Sequence, residues 1–456
     1  MTASDGKRMA AIAGARGRFG RTRRELLRTS GALAGSSFFA ACATSGGSSE
    51  QTSASAQPVT LQWMTDWTGG ARGETSKLSI APFEGQNSKI KLEMLAAPGD
   101  TYEVFAANLA AGTLPDVQLF SGNLFEYWAE KGAFADIGPL LKKYKWDKES
   151  VWWEPQYFEY KGKTHGLPYQ FTISTWLYNK SWFRQKGTAV PTDAWTTDDL
   201  LDAGKKLNQE ADNKWAIQMQ AVPAYAWVWL YANGADLTTY ADSIRTAIDQ
   251  PKALEAWDYA IGLIQRHRVA SVPGGPSQTK NVAAFQAGGY AMTVNNSAKS
   301  LATTIKDQFE WDVMPTPRWS GTKKRVTNWN HQGHIVMKQA EQRGHADAAA
   351  QFAMWMAGEG GQTLVAKTGG ATPVHKKTAT GNVYLDGSPP GLKLQLDLLT
   401  KKSDQDARGF RIFKFFVPWY DAILPIVTDG FNGVISIREM ASRATQAGNA
   451  ALDNAK

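Results

Sequence analysis

Apolar and polar positions alternate through Val59-Thr60-Leu61-Gln62-Trp63-Met64 and again at Ile90, Leu92 and Met94, the period of two expected of half-buried strands. Asp66-Trp67-Thr68-Gly69-Gly70 stops the first run, and the helix-length stretch between the two makes a β-α-β unit. Tyr102, Phe105, Ala106 and Leu109 share one helical face behind a capping-box-like Asp100 and Glu103, with Gly112 ending that helix. Leu114 to Phe120 reads as a third short strand, and the whole as an open α/β sheet. Ligands of such sheets bind beyond the carboxyl ends of the strands. That rule nominates Asp66, Trp67, Gln118 and Asn123.

A polar, glycine-bearing turn at Lys161-Gly162-Lys163 runs into an extended aromatic stretch ending at Tyr178-Asn179-Lys180. Its β-branched and aromatic residues suit a strand. Pro168 lacks an N–H and restricts its predecessor, which places the stretch at a sheet edge or at a crossing between two bodies. Tyr169 and Gln170 are its candidate ligand contacts. Thr196 with Asp199 caps a later helix. The run Val222 to Asp236 carries Tyr225, Trp227, Trp229 and Tyr231, which would line one face of a strand, whereas a helix would pair Tyr225 with Trp229. Pattern alone leaves both open. Ala346 to Trp355 reads as an amphipathic helix, and Ser436 with Glu439 as a capping box before the last one.

These segments together carry a resemblance. Lys161 to Lys180 is similar to the first inter-lobe crossover of the extracellular solute-binding proteins of sugar-binding family 1, the maltose-binding-protein-like class serving ABC importers. Ala111-Gly112-Thr113-Leu114-Pro115-Asp116-Val117 resembles another signature of that family, and Phe285 to Asn295 a third. Trp311 to Pro317 looks like the second crossover and Gly369 to Val374 like the third. The resemblance implies a periplasmic-binding-protein-like fold, two α/β lobes joined by a multi-strand hinge with the ligand cleft between them. The implied division is 58–168 with 316–371 for lobe 1, and 169–315 with 372–456 for lobe 2. It adds Asn295, Trp329, Gly333 and Trp419 to the candidate ligand contacts, alongside Tyr225 and Trp227. Asn296-Ser297-Ala298 stands where many members place an aromatic ring, so another tryptophan has to supply that platform if the ligand is an oligosaccharide.

Composition changes the picture at the amino terminus. The chain of 456 residues carries a formal charge of +8, but Lys7, Arg8, Arg16, Arg18, Arg21, Arg23, Arg24 and Arg28 against Asp5 and Glu25 place about +6 of it before residue 42. The remainder keeps about +2, so no nucleic-acid partner is expected. Thr22-Arg23-Arg24 precedes an apolar run and Ala40-Ala41-Cys42, the only cysteine. Residues 1–41 resemble a twin-arginine signal peptide ending in a lipobox, with Arg23 and Arg24 as the export signal and Cys42 as the lipidation site. Residues 42–57, rich in Ser, Gly, Ala and Thr, form a flexible tether with a reach of about 20 Å. The expectation is an extracytoplasmic monomer, lipid-anchored to the cell membrane.

Catalytic patterns mostly fail. The chain has no H-E-x-x-H, no G-x-S-x-G and no cysteine in its body. Gly162-Lys163-Thr164 lacks the leading glycine of a phosphate loop, since Tyr157 stands there. His331 and His334 lie in an extended segment where i and i+3 face opposite sides, which argues against a shared metal. No catalytic residue, metal or cofactor is expected. With 18 Trp, 14 Tyr and 19 Phe, the chain is rich in rings that pack on the C–H faces of pyranoses while Asp, Asn and Gln take the hydroxyls. The expected function is capture of a sugar or oligosaccharide by hinge closure and its delivery to an ABC permease. The alternatives are a secreted polysaccharide-active enzyme and a binder of an acidic or non-sugar solute.

Overall fold

A computed structural model of the chain describes residues 58–97, 101–219, 223–240, 244–272, 282–295, 298–400, 407–409 and 413–455. The arginine pair, Cys42, the tether and Asp100 lie outside the described residues. Among those described, two larger sheets organise the chain. The strands that build them are β1 (Val59–Thr65), β2 (Ile90–Ala96), β3 (Val117–Ser121), β4 (Gly166–Ile173), β5 (Thr175–Asn179) and β6 (Trp215–Gln218). They continue with β7 (Ala270–Ser271), β8 (Tyr290–Asn295), β9 (Trp311–Met314), β10 (Thr327–Val336), β11 (Thr372–Pro373) and β12 (Ala407–Gly409).

The seven-stranded sheet runs β11-β4-β10-β3-β1-β2, with β12 on the end of β10; the five-stranded one runs β7-β6-β8-β5-β9. In the first sheet β1, β2 and β3 are parallel, and β10 is antiparallel to both β3 and β4. Hence β4 points the same way as β1 and β3, and its carboxyl end lies beside theirs. In the second sheet β6, β7 and β8 are parallel and β5 is antiparallel to β8. The chain leaves β4 at Ile173 and begins β5 at Thr175, so it changes sheets at Ser174. It therefore joins the carboxyl end of β4 to the end of the second sheet where β6, β7 and β8 finish. The expected boundary at 168 falls inside β4. The return runs between Met314 of β9 and Thr327 of β10, and β11 then adds to the edge of β4.

The apolar pattern explains the elements. Leu61 and Trp63 of β1 are fully buried, and their core includes Phe352 of helix Ala346–Ala357. The stretch between β1 and β2 is α1 (Gly70–Gln86), and Ser121 leads directly into α3 (Gly122–Glu130), with α2 (Thr101–Ala111) between. The aromatic run resolves as a helix, α4 (Pro223–Ala232), started by a proline at its first position. Every residue from Ala226 to Ala232 is buried, as expected of a helix that is apolar all round. Trp229 turns to Trp176 of β5, with ring centroids 6.2 Å apart, while Trp227 turns to Trp419, 6.1 Å away. Trp419 belongs to α5 (Phe416–Phe431). The capping box at Thr196 and Asp199 forms with both reciprocal bonds, and Ser436 accepts from the Glu439 N–H.

Candidate functional site

The convergence of strand ends puts a set of polar side chains on one edge of the first sheet. Asp66 and Trp67 follow β1, Gln170 sits near the end of β4, and Gln332 lies opposite Gln170 in the register of β10. The Trp67 indole N–H donates to Gln332 Oε1 at 3.3 Å, and the Gln170 amide donates to the same oxygen. The Gln332 amide nitrogen in turn faces Asp66 Oδ2 at 3.5 Å. One glutamine thus ties together side chains from β4 and from the turn after β1. Gln118 occupies β3 between Met64 and Ile335 of its neighbours, nearly fully buried.

Trp67 is enclosed. Its ring stands 4.9 Å from Tyr169, and the Arg72 guanidinium lies 5.1 Å above it. Arg72, in the first turns of α1, also donates from Nε to the Gly370 carbonyl at 3.2 Å, fastening α1 to the segment before β11. Burial pulls this guanidinium below its ordinary value, and Asp66 and Tyr169 act against that. Tyr169 is buried, its hydroxyl pushed upward by burial. Its ring meets His334 edge-on at 4.6 Å. The Tyr169 hydroxyl, Gln118 Oε1 and Gln170 Oε1 are buried without a hydrogen-bond partner among the described residues. Such groups are costly unless something completes them, and a ligand carrying several hydroxyls is suited to do so.

Five of the expected contacts, Asp66, Trp67, Gln118, Tyr169 and Gln170, therefore share the carboxyl-end region of the first sheet. Gly333 follows Gln332 across a bulge in β10, where an added Cβ would fall 2.1 Å from Phe158 and 2.5 Å from the Leu167 carbonyl. It serves close packing of strand on strand. Asn295 ends β8 opposite Thr175, and nearby Thr293 donates to Gln218 at the end of β6. Trp227 and Trp419 stand apart from these. Both are at most 1% exposed, and Trp227 packs on Phe416 and Tyr420 while the Trp419 N–H donates to Thr246. The structure gives them a packing role in the second core, a correction to the expectation of ligand contact. Asn123 lies in the first turn of α3, Tyr225 in α4 and Trp329 in β10, and their side chains lie outside the described residues.

Sequence reasoning missed Gln332 and Arg72. The signal was present for the first, because Asn330-His331-Gln332-Gly333-His334 is a polar run in a strand paired on both sides, where polar groups are costly. His331 and His334 are fully buried against rings, His331 on Tyr157 and Phe171 and His334 on Trp63 and Phe352. Among the described residues no group of three or more His, Cys, Asp or Glu stands together as a metal site.

Comparison with known proteins decides the family. A model of the bacterial extracellular solute-binding proteins matches residues 79–386. The chain belongs to that family. No curated protein sequence matches it. Among solved structures it is similar to the ABC substrate-binding protein Lmo0181 from Listeria monocytogenes in complex with cycloalternan, at 21% identity and TM-score 0.73 over 86% of this chain and 98% of that one. It is similar to the cyclic α-maltosyl-1,6-maltose binding protein from Arthrobacter globiformis, at 21% identity and TM-score 0.69 over 87% and 100%. UgpB from Mycobacterium tuberculosis, in complex with glycerophosphocholine, matches at 16% identity and TM-score 0.71 over 87% and 99%. The shared fold is the periplasmic-binding-protein-like one of two α/β lobes, and this solute-binding protein keeps its strand-end cluster on the first of the two larger sheets described.

Replacement of Gln332 by Leu in this solute-binding protein is expected to strand the Trp67 and Gln170 donors. The cost is about 1 to 3 kcal/mol per buried group left unpaired. Urea unfolding of the variant beside wild type checks it, and an unchanged midpoint would show that Gln332 does not hold the cluster.

Proposed function

We propose that this protein is the substrate-binding component of an ABC importer, which captures a sugar or oligosaccharide between two lobes and delivers it to the membrane permease. One observation carries the reading. The carboxyl ends of the strands in both sheets meet the crossing at Ser174, and there Asp66, Gln118, Tyr169 and Gln170 leave acceptors and a hydroxyl for a polyhydroxylated ligand. The cycloalternan bound in one structural neighbour and the saccharide for which another is named accord with that chemistry. The lobes correspond to the two sheets with their helices, and hinge closure brings Asn295 and Gln218 of the second toward the cluster of the first. A ligand closes such a clamp only through its greater affinity for the closed state.

The test is a thermal-shift screen over neutral oligosaccharides, maltotriose among them, together with uronides and phosphodiesters. A ligand at 100 times its Kd adds about 2.7 kcal/mol of stability. Absence of a shift with any glycan would remove the sugar reading, and appearance of glycan products would replace it with the enzyme.

The same proposal includes a lipid anchor at Cys42 after export directed by Arg23 and Arg24. Cys42→Ala is expected to move the protein from the membrane fraction to the soluble one, and joint Arg23→Lys and Arg24→Lys substitution to stop export. Fractionation followed by immunoblotting reads both. Membrane association unchanged in Cys42→Ala would reject the anchor.

A further inference from the structure

We propose that α3 and the segment leading into α5 carry a charge clasp, Lys414 against Glu130 and its neighbour Glu126, that sets the balance between open and closed lobes. The inference rests on the two-lobe reading and names a regulation of the same cleft. Lys414 Nζ lies 2.5 Å from Glu130 Oε2, each side chain one-third exposed. The two partners are held by different cores. Phe125 and Trp128 of α3 pack with Phe120 and Ile335 of the first sheet, whereas Phe416 and Trp419 of α5 pack in the core of the second.

Glu126 precedes Glu130 by four residues, so both carboxylates stand on one face of α3. Lys414 is the cation that meets them from the other lobe. Burial, and then Glu130, hold the Glu126 carboxyl above its ordinary range, with Lys414 acting against them. The hydrogen bond from Lys414 does the reverse to Glu130 and holds it low, helped by the charges of Lys161, on the hairpin packed beside α3, and of Lys131. The two carboxylates thus titrate at opposite sides of the usual carboxylate range.

The consequence has a sign. On acidification each carboxylate that takes up a proton, Glu126 first, loses its attraction to Lys414 across the lobes, whereas the Glu126–Glu130 repulsion lies within one helix and is the same open or closed, so closure weakens. Below the ordinary carboxylate range Glu130 is protonated as well and the clasp is lost. An exposed pair contributes little to the stability of a fold, but an open–closed balance is itself small, and a few-fold change in a pairwise interaction moves it visibly.

Lobe separation can be read without a ligand. In the full chain with Cys42→Ala, nitroxide labels at Leu78→Cys on α1 and Val434→Cys after α5, both exposed sites, report it by double electron–electron resonance. Lys414→Glu is expected to shift the population toward longer separations, changing the closed-to-open ratio by about fivefold. Adding Glu130→Lys restores the pair with its charges exchanged and returns the distribution to that of wild type. Glu126→Gln shifts it toward longer separations, by less than Lys414→Glu does, and removes the weakening on mild acidification. A distribution unmoved by Lys414→Glu, or moved but not restored by the exchange, overturns the clasp. If maltotriose or another glycan of the screen closes the wild type while the charge variants do not alter it, the clasp falls and the two-lobe reading stands. If no solute of the screen changes the separation, the reading and the clasp fall together.

Discussion

Lowering the pH from about 7 to about 5 is expected to remove about 2 kcal/mol of folding stability through His334, with His331 acting in the same direction. Both imidazoles are fully buried among aromatic rings. Burial disfavours the charged form and pulls both below their ordinary value, His334 to about 3. In the unfolded chain each binds a proton once the pH falls through about 6.5, whereas in the folded chain neither does. The stabilisation is therefore complete above that value and is lost progressively as the pH falls toward the folded-state values. At about pH 5 the loss through His334 is about 2 kcal/mol. Urea midpoints measured across this range in wild type and in His334→Leu test it. The variant should lose the His334 share of the acid sensitivity, whatever its stability at neutral pH, and an unaltered pH slope would show that His334 is not neutral in the fold.

Trp227→Ala is expected to cost about 3 to 5 kcal/mol of stability while leaving ligand affinity nearly unchanged among molecules that fold. The ring is 1% exposed and enclosed by Phe416, Trp419 and Tyr420. Its removal leaves a cavity in the core of the second lobe that neighbouring aromatic rings, being rigid, do not refill. Trp67 makes the contrast, since it is equally buried yet bonded to Gln332 beside Asp66. Trp67→Ala should weaken binding as well as stability, because the cluster loses one of its supports. Unfolding curves and titrations with a ligand from the screen separate the two cases. A Trp227→Ala variant of native stability that binds tenfold or more weakly would return this ring to the ligand site.

Local pattern was enough for the elements. Alternation placed β1 and β2, and the Thr196–Asp199 pair announced its helix, because strand period and helix capping depend on residues two to four apart. Ordered family-like motifs carried the fold class, since crossovers impose turn and proline chemistry on the chain where they occur. The end of the first sheet was likewise legible, because Asp66 and Trp67 directly follow a strand that can be read from its own residues.

Tertiary structure decided the rest. Whether Val222 to Asp236 was strand or helix depended on what surrounded it, for apolar residues on every face satisfy either period once all faces are buried. The choice between core and cleft for Trp227 and Trp419 rested on Phe416, Tyr420 and Thr246, the last of these far along the chain from Trp419. Gln332 became the hub of the cluster only through the register that sets β10 against β4, and Lys414 met Glu130 only because the segment before α5 comes against α3. Sequence by itself determined what the segments with a clear period or cap would form and where the first strands would end. Which side chains then share a space is set by contacts between residues a hundred or more positions apart, and no local pattern encodes those.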